Sequence, residues 1–254
     1  MEKGHNKTTD KIIEKIDEDK IKEYISTVLD DEIINIPKSK IKLYFKKGFN
    51  KIKLTKTEYL ILKNYTGFNF RGINSVLRDN WINEVNGSLY KEKEERFRAN
   101  AKNISDLIEE FPKSRDNFKV YRGVTIEAFK DYGIDNLDEL VYLKNKFLFE
   151  QGFTSTSLLR DTSYFNKEID GRLYNIELEI VIPKGSQDGM PLTGYELSFS
   201  PGQNEYVIDN ESLIKITSVK VEDNYAFLEG ILIPKKIYNF EQKTNKTIGK
   251  WRGL

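Results

Sequence analysis

Three short runs place side chains suited to holding and stabilising charge: Arg122 in VYRGV, Ser155-Thr156-Ser157 in FTSTSL, and Gln203-Asn204-Glu205 in SPGQNEYVI. Arg122 ends a β-type stretch and precedes Gly123, so the backbone is expected to turn there while the guanidinium reaches a cleft. A diphosphate is a natural partner, because the planar fork meets phosphate oxygens two at a time. Glu205 opens the β-type run EYVI after a Pro201-Gly202 turn, and a fixed carboxylate in that position lowers the barrier to a reaction that builds positive charge beside it. Gln203 carries an amide that both donates and accepts, so it can orient another amide. Each run alone has a plainer explanation: a strand-end Glu, a loop Gln, a surface Arg, and serines satisfying backbone groups.

The elements that must position these residues change character at Pro112. Before it, Ile12, Ile13, Ile16, Ile21, Tyr24, Ile25, Val28 and Leu29 recur at helical steps between charges, as expected of an amphipathic helix packed on a domain. Thr55 and Glu58 have capping-box spacing ahead of Tyr59-Leu60-Ile61-Leu62 and predict a helix start. Further helices are expected over Ile73 to Arg78 and over Glu94 to Phe111, the latter stopped by Pro112. After Pro112, FKVYRGV, FTSTSL, YNIELEIVIP, EYVI, LIKITSVKVE and YAFLEGILIP read as strands. In the clearest of them, Tyr174, Ile176, Leu178, Ile180 and Ile182 alternate with Asn175, Glu177 and Glu179, which predicts one buried and one wet face. Helices first and strands afterwards indicate an α+β fold.

Composition excludes several classes of function. The chain has 254 residues, enough for one large domain or a domain with an extension, and its 41 Lys+Arg nearly balance 40 Asp+Glu, so no nucleic-acid partner is expected. It contains no cysteine and a single histidine, His5, in a polar N-terminal stretch. Disulfides, Cys-ligated metals, a His-based triad and an HExxH site are therefore ruled out, and no metal is expected. No run approaches the roughly 18 apolar residues of a membrane span, and no signal peptide is visible.

The combination of Arg122, Ser155-Thr156-Ser157 and Gln203-x-Glu205 resembles the signature of bacterial mono-ADP-ribosyltransferase exoenzymes, most closely the small Rho-modifying clostridial type. The resemblance extends to YTGFNFRGINSVLR and to GRLYNIELEIVIPKGSQDG, and covers about Leu54 to Pro234. It implies an ADP-ribosyltransferase fold with N-terminal helices and a strand-rich half forming a mixed or antiparallel β-sandwich core. It also implies NAD as co-substrate. Cleaving the bond between nicotinamide and ribose builds an oxocarbenium-like charge on the sugar, comparable with glycoside hydrolysis. On this resemblance Glu205 stabilises that charge and binds the ribose 2′-hydroxyl, Ser155 holds Glu205, and Gln203 meets the acceptor protein. Arg122 contacts the diphosphate beside Gly123, while Arg172 and Arg78 supply further phosphate or ribose contacts. Asn74 and Tyr65 line the nicotinamide side, and Thr156, with Ser157, braces the strand that floors the NAD site.

A Gln at position 203 suits an Asn or Gln acceptor, whereas relatives that modify arginine carry a Glu there. The acceptor implied is a protein of the host, a Rho-type GTPase first. An arginine-specific enzyme acting on actin, a NAD glycohydrolase and a nonenzymatic binding module are the alternatives. The family has an aromatic residue three positions before the Gln; here that position is Ser200, with Phe199 beside it. Three regions are expected: an N-terminal helical extension over 1–50 with a delivery or regulatory role, a catalytic domain over 51–237, and a polar tail over 238–254. The resemblance implies a secreted bacterial protein acting in the host cytosol, with a separate translocation component as a further option; the alternative is a cytoplasmic protein.

Overall fold

The computed structural model describes residues 17–78, 88–193, 197, 202 and 204–238. The helical half begins with α1 (Glu18–Asp30), whose first turn is capped by the Asp17 carboxylate accepting from Lys20 N at 3.0 Å. Short helices α2 (Ile41–Tyr44) and α3 (Lys46–Lys51) lead to α4 (Lys56–Asn64). The expected capping box is formed there: Glu58 N donates to Thr55 Oγ1 at 3.2 Å and Thr55 N donates to the Glu58 carboxylate at 2.7 Å. The helix does not end at Asn64. It widens into a π-turn over Tyr65–Asn69 and continues as α5 (Phe70–Leu77), and such inserted turns recur at functional sites. The long helix α6 (Ser88–Glu110) buries Phe97, Ala101, Ile104, Leu107 and Ile108, and ends ahead of Pro112.

Among the described residues the strand half forms a nine-stranded mixed sheet, mostly antiparallel. Its strands are β1 (Ile33–Ile34), β2 (Asn117–Val124), β3 (Phe147–Glu150), β4 (Thr154–Ser157), β7 (Ile176–Ile182), β8 (Gly189–Pro191), β9 (Glu205–Ile208), β10 (Ser212–Glu222) and β11 (Tyr225–Ile233). A separate two-stranded ribbon pairs β5 (Glu168–Ile169) with β6 (Arg172–Leu173). The order is β3-β10-β11-β7-β2-β4-β9-β8, with β1 added parallel to the start of β2. One edge of β2 is thus shared. Its first residues pair with β1, and farther along a single bridge, Tyr121 to Ser157, joins it to β4. The sheet divides into two arms at this point, and Arg122, Ser155 and Glu205 cluster around it.

The two faces of the larger arm bury different clusters. Val120, Leu178, Ile180, Ile214, Ile216, Leu228 and Leu232 pack with α4, α5 and α6 in the main core. The opposite face, with Phe147, Phe149, Val181, Leu213, Ile231 and Ile233, is covered by Ile21 and Val28 of α1. This corrects the reading of β7 as half wet. Glu177 is 2% exposed and bound to Arg160, Glu179 pairs with Lys119 at 2.6 Å, and Val181 lies beneath α1. Alternation was present, but ion pairs and a helix cover the polar face. The strand also starts at Ile176, so Tyr174 lies outside it.

Candidate active site

Strand pairing fixes the centre of the site. In the β4–β9 ladder Ser157 opposes Glu205 and Ser155 opposes Val207, so Ser155 and Glu205 share one face as diagonal neighbours. Glu205 is only 8% exposed. Burial raises its pKa from an ordinary 4.5 to about 7, against the opposing pull of a Ser155 hydrogen bond and the Arg122 charge. A carboxylate so placed is costly to ionise until positive charge arrives beside it. Behind it, Tyr206 packs edge-on against Phe118, ring centroids 5.4 Å apart, and its carbonyl accepts from Thr156 Oγ1 at 2.6 Å. The Ser157 hydroxyl is engaged in a local turn, donating to Leu159 O at 2.7 Å.

The helical half reaches this strand through the π-turn. The Tyr65 and Ser155 hydroxyls are 3.2 Å apart, and the Tyr65 ring lies edge-on to Phe153 at 5.6 Å. Tyr65 is 1% exposed, and burial raises its phenol pKa further above the ordinary value, so the group stays protonated. One residue on, Thr66 Oγ1 donates to Leu197 O at 2.7 Å, tying the same turn to the segment ahead of β9.

Farther along, Asn74 of α5 and Arg78, its C-cap, stand at i and i+4 and grip the chain that leads into β4. The Asn74 amide makes a two-way bond with Phe153, donating to its carbonyl at 3.2 Å and accepting from its N–H at 2.9 Å. Arg78 donates from Nε and Nη2 to the two oxygens of Glu150, each at 2.9 Å. Glu150, at the end of β3, is fully buried, and its Oε1 also accepts from Gly152 N at 2.7 Å. Neither Glu150 nor Phe153 is singled out by the sequence reading. The one available signal was a carboxylate closing the apolar run FLF ahead of Gln-Gly.

Arg122, on β2, donates from Nη1 to Ser155 O at 3.0 Å. Burial pulls its pKa down, and the neighbouring Glu150 charge opposes that pull. The expected turn at Gly123 is not formed. β2 runs on to Val124 with Gly123 paired to Glu177, and a Cβ on Gly123 would lie 2.2 Å from Phe165 N and 2.4 Å from Tyr164 C. The glycine is required by close passage of the Tyr164–Phe165 backbone, not by a bend.

Arg172 stands apart from this cluster on β6, exposed, after a turn in which Asp170 and Gly171 both have positive φ. Two such residues match the twist of a tight hairpin. Gln203, Phe199 and Ser200 lie outside the described residues. Flanking Gln203, Gly202 and Asn204 have φ of 104° and 49°, and the Asn204 amide donates to Gly202 O at 2.7 Å. Leu158 N donates to Asn204 O at 2.9 Å, extending the β4–β9 ladder by one step. The structure therefore brings Tyr65, Asn74, Arg78, Arg122, Ser155, Thr156 and Glu205 to one region, with Arg172 on a neighbouring ribbon. Among the described residues no helix is long and apolar enough to cross a membrane, and no group of three or more His, Cys, Asp or Glu side chains could hold a metal.

The sequence profile of the ADP-ribosyltransferase exoenzyme family matches residues 43–245. Comparison with curated protein sequences gives no match. Among solved structures, that of C3stau2 from S. aureus with NAD superposes with a TM-score of 0.63 at 20% identity, covering 80% of this chain and 100% of that one. The Clostridium limosum C3 exoenzyme gives a TM-score of 0.62 at 18% identity, covering 80% and 98%. Plx2a, an ADP-ribosyltransferase toxin from Paenibacillus larvae, gives 0.59 at 24% identity, covering 78% and 98%. At these identities the superpositions speak for the fold.

Proposed function

The chain belongs to the ADP-ribosyltransferase exoenzyme family, and from that premise we propose that this NAD-dependent mono-ADP-ribosyltransferase is a toxin that modifies an Asn or Gln side chain of a host protein, with a Rho-type GTPase as the first candidate. The observation that carries the catalytic part is Glu205, a buried carboxylate with a pKa of about 7, set diagonally across the ladder from Ser155.

NAD supplies a glycosidic bond whose cleavage places positive charge on the ribose. Glu205 then offers its negative charge in a setting where water screens little, so the interaction strengthens as the bond breaks. Ser155, diagonal to that carboxylate on the same face of the ladder, is itself held by Tyr65, which fixes its hydroxyl beside the charge before the substrate arrives. Arg122 and Arg78 bring two guanidiniums to the same region, a donor set that fits a diphosphate. Arg172, exposed on its ribbon, is suited to close over the same anion.

Acceptor choice rests on Gln203. An amide there can pair with an incoming amide and orient its nitrogen, whereas a carboxylate would suit a guanidinium. Secretion, action in the host cytosol and a separate translocation component belong to the same proposal, by kinship with C3 exoenzymes and with Plx2a, which is described as a toxin.

The test is to incubate the purified chain with labelled NAD and a host-cell lysate and to map the label by mass spectrometry, with Glu205→Gln and Gln203→Ala alongside. Label on an Asn or Gln of a GTPase, lost in both variants while Gln203→Ala retains slow NAD hydrolysis, is the expected result. Label on arginine would overturn the acceptor reading. Nicotinamide release without any protein label would make the chain a glycohydrolase.

A further inference from the structure

We propose that Glu150 is a positioning residue for NAD binding, acting through Arg78 and through the Gly152–Phe153 turn rather than by touching the substrate. The inference rests on the reading of this region as the NAD site.

Glu150 is a fully buried carboxylate that the transfer chemistry itself does not use. A buried side-chain charge is retained only where it is paired and hydrogen-bonded. Here both oxygens are engaged: Oε1 accepts from Arg78 Nε and from Gly152 N, and Oε2 accepts from Arg78 Nη2. The bidentate geometry leaves Arg78 one orientation about its long side chain, removing rotamer freedom that would otherwise be lost on binding a ligand. Arg78 is 7% exposed, so its guanidinium is held inside the wall of the site and not on its rim.

The charges around Glu150 give it a second task. The Arg78 charge acts to lower the pKa of Arg122, and the Glu150 charge acts to raise it. Two guanidiniums are useful to a diphosphate but repel each other before it binds, most strongly where water is excluded. Glu150 offsets that repulsion in the absence of substrate. Its third bond, from Gly152 N, reaches the turn whose next residue, Phe153, is held on both sides by Asn74. Two residues later comes Ser155. One carboxylate thus sets an arginine and the approach to the serine that holds Glu205.

The charge count alone would predict the opposite effect of removing Glu150: with one anion fewer, the site should attract the anionic dinucleotide more strongly. Positioning predicts weaker binding. Glu150→Gln keeps size and one acceptor but removes the charge, and Glu150→Asp keeps the charge but shortens the reach. Each variant is checked by circular dichroism and thermal melting, then titrated with NAD by calorimetry and assayed for transfer on a lysate. NAD affinity in Glu150→Gln is expected to fall about ten-fold or more, as for other supporting partners of binding residues, with kcat reduced far less and KM for NAD raised in step. Glu150→Asp is expected to lie between wild type and Glu150→Gln, and it carries the comparison if Glu150→Gln does not fold. Unchanged or tighter NAD binding in a folded variant would overturn the proposal, as would a melting temperature that falls while KM and kcat per folded molecule stay at wild-type values. If wild type itself bound no NAD, the reading of the site would fail instead.

Discussion

The Tyr65 and Ser155 hydroxyls meet at 3.2 Å although ninety residues separate them in the chain. Tyr65 opens the π-turn of the helical half, and Ser155 lies on the strand paired with Glu205. The contact is a joint between the two halves of the fold, placed beside the carboxylate proposed to oppose the ribose charge.

Tyr65→Phe isolates that joint, because the ring keeps its edge-on contact with Phe153 while the hydroxyl is lost. One net hydrogen bond is worth about 1 kcal/mol, so kcat is expected to fall by roughly three- to ten-fold, with stability changing by a similar energy. Single-turnover kinetics beside thermal melts measure both. A wild-type kcat in this variant would mean that Ser155 is held adequately by the strand alone.

Glu205 should link activity and stability in opposite directions. The ionised carboxylate is the form that opposes positive charge, and its pKa in the free protein is about 7, so kcat/KM is expected to rise with pH through about 7 and then level off. In the unfolded chain the same group titrates near 4.5. Between those values the unfolded state has lost a proton that the folded state keeps. The group's contribution to stability is thus fully present below about 4.5 and is lost as pH rises through about 7. Glu205→Gln removes that loss. The variant is expected to be inactive yet, on the alkaline side, more stable than wild type by on the order of 3 kcal/mol, with the difference vanishing in acid. Urea melts of both proteins across this range decide it; an unchanging difference would show that Glu205 is not buried as a carboxylic acid.

How much of this was legible beforehand depends on whether the cause was local. The Thr55–Glu58 capping box and the run from Phe97 to Ile108 could be read because their partners lie within a few residues. The face shared by Ser155 and Glu205 needed only the period of a strand once the two runs were paired. Glu150 was illegible for the converse reason: its partner Arg78 is 72 residues away, and without it a Glu after FLF reads as the end of a strand. The π-turn leaves no pattern, since YTGFN continues a helical run. The Glu177 face of β7 looks wet in the sequence because Arg160, Lys119 and α1, which cover it, lie in other segments.

Helix α1 lies ahead of the family match, which begins at residue 43. Ile21 and Val28 are 2% and 5% exposed and share a cluster with Phe147, Phe149, Val181, Leu213, Ile231, Ile233 and Tyr238. Polar bonds fix the same segment: Asn117 Nδ2 donates to Val28 O at 3.1 Å, and the Tyr121 hydroxyl donates to Asn35 Oδ1 at 2.6 Å. Between them, β1 pairs with the first residues of β2. A segment that served delivery alone could be removed without cost, whereas one that covers an apolar sheet face cannot. Ile21→Ala is expected to destabilise the protein by on the order of 3 kcal/mol through the buried volume it vacates. Deleting the chain through Pro37 should go further, exposing Phe147 and Phe149 and promoting aggregation. The proposed active site lies on other elements, so kcat and KM for NAD measured on the folded fraction of Ile21→Ala should match wild type. Denaturant melts unchanged by Ile21→Ala, or a deletion variant that melts as the full chain does, would show that α1 is an accessory and not part of the fold.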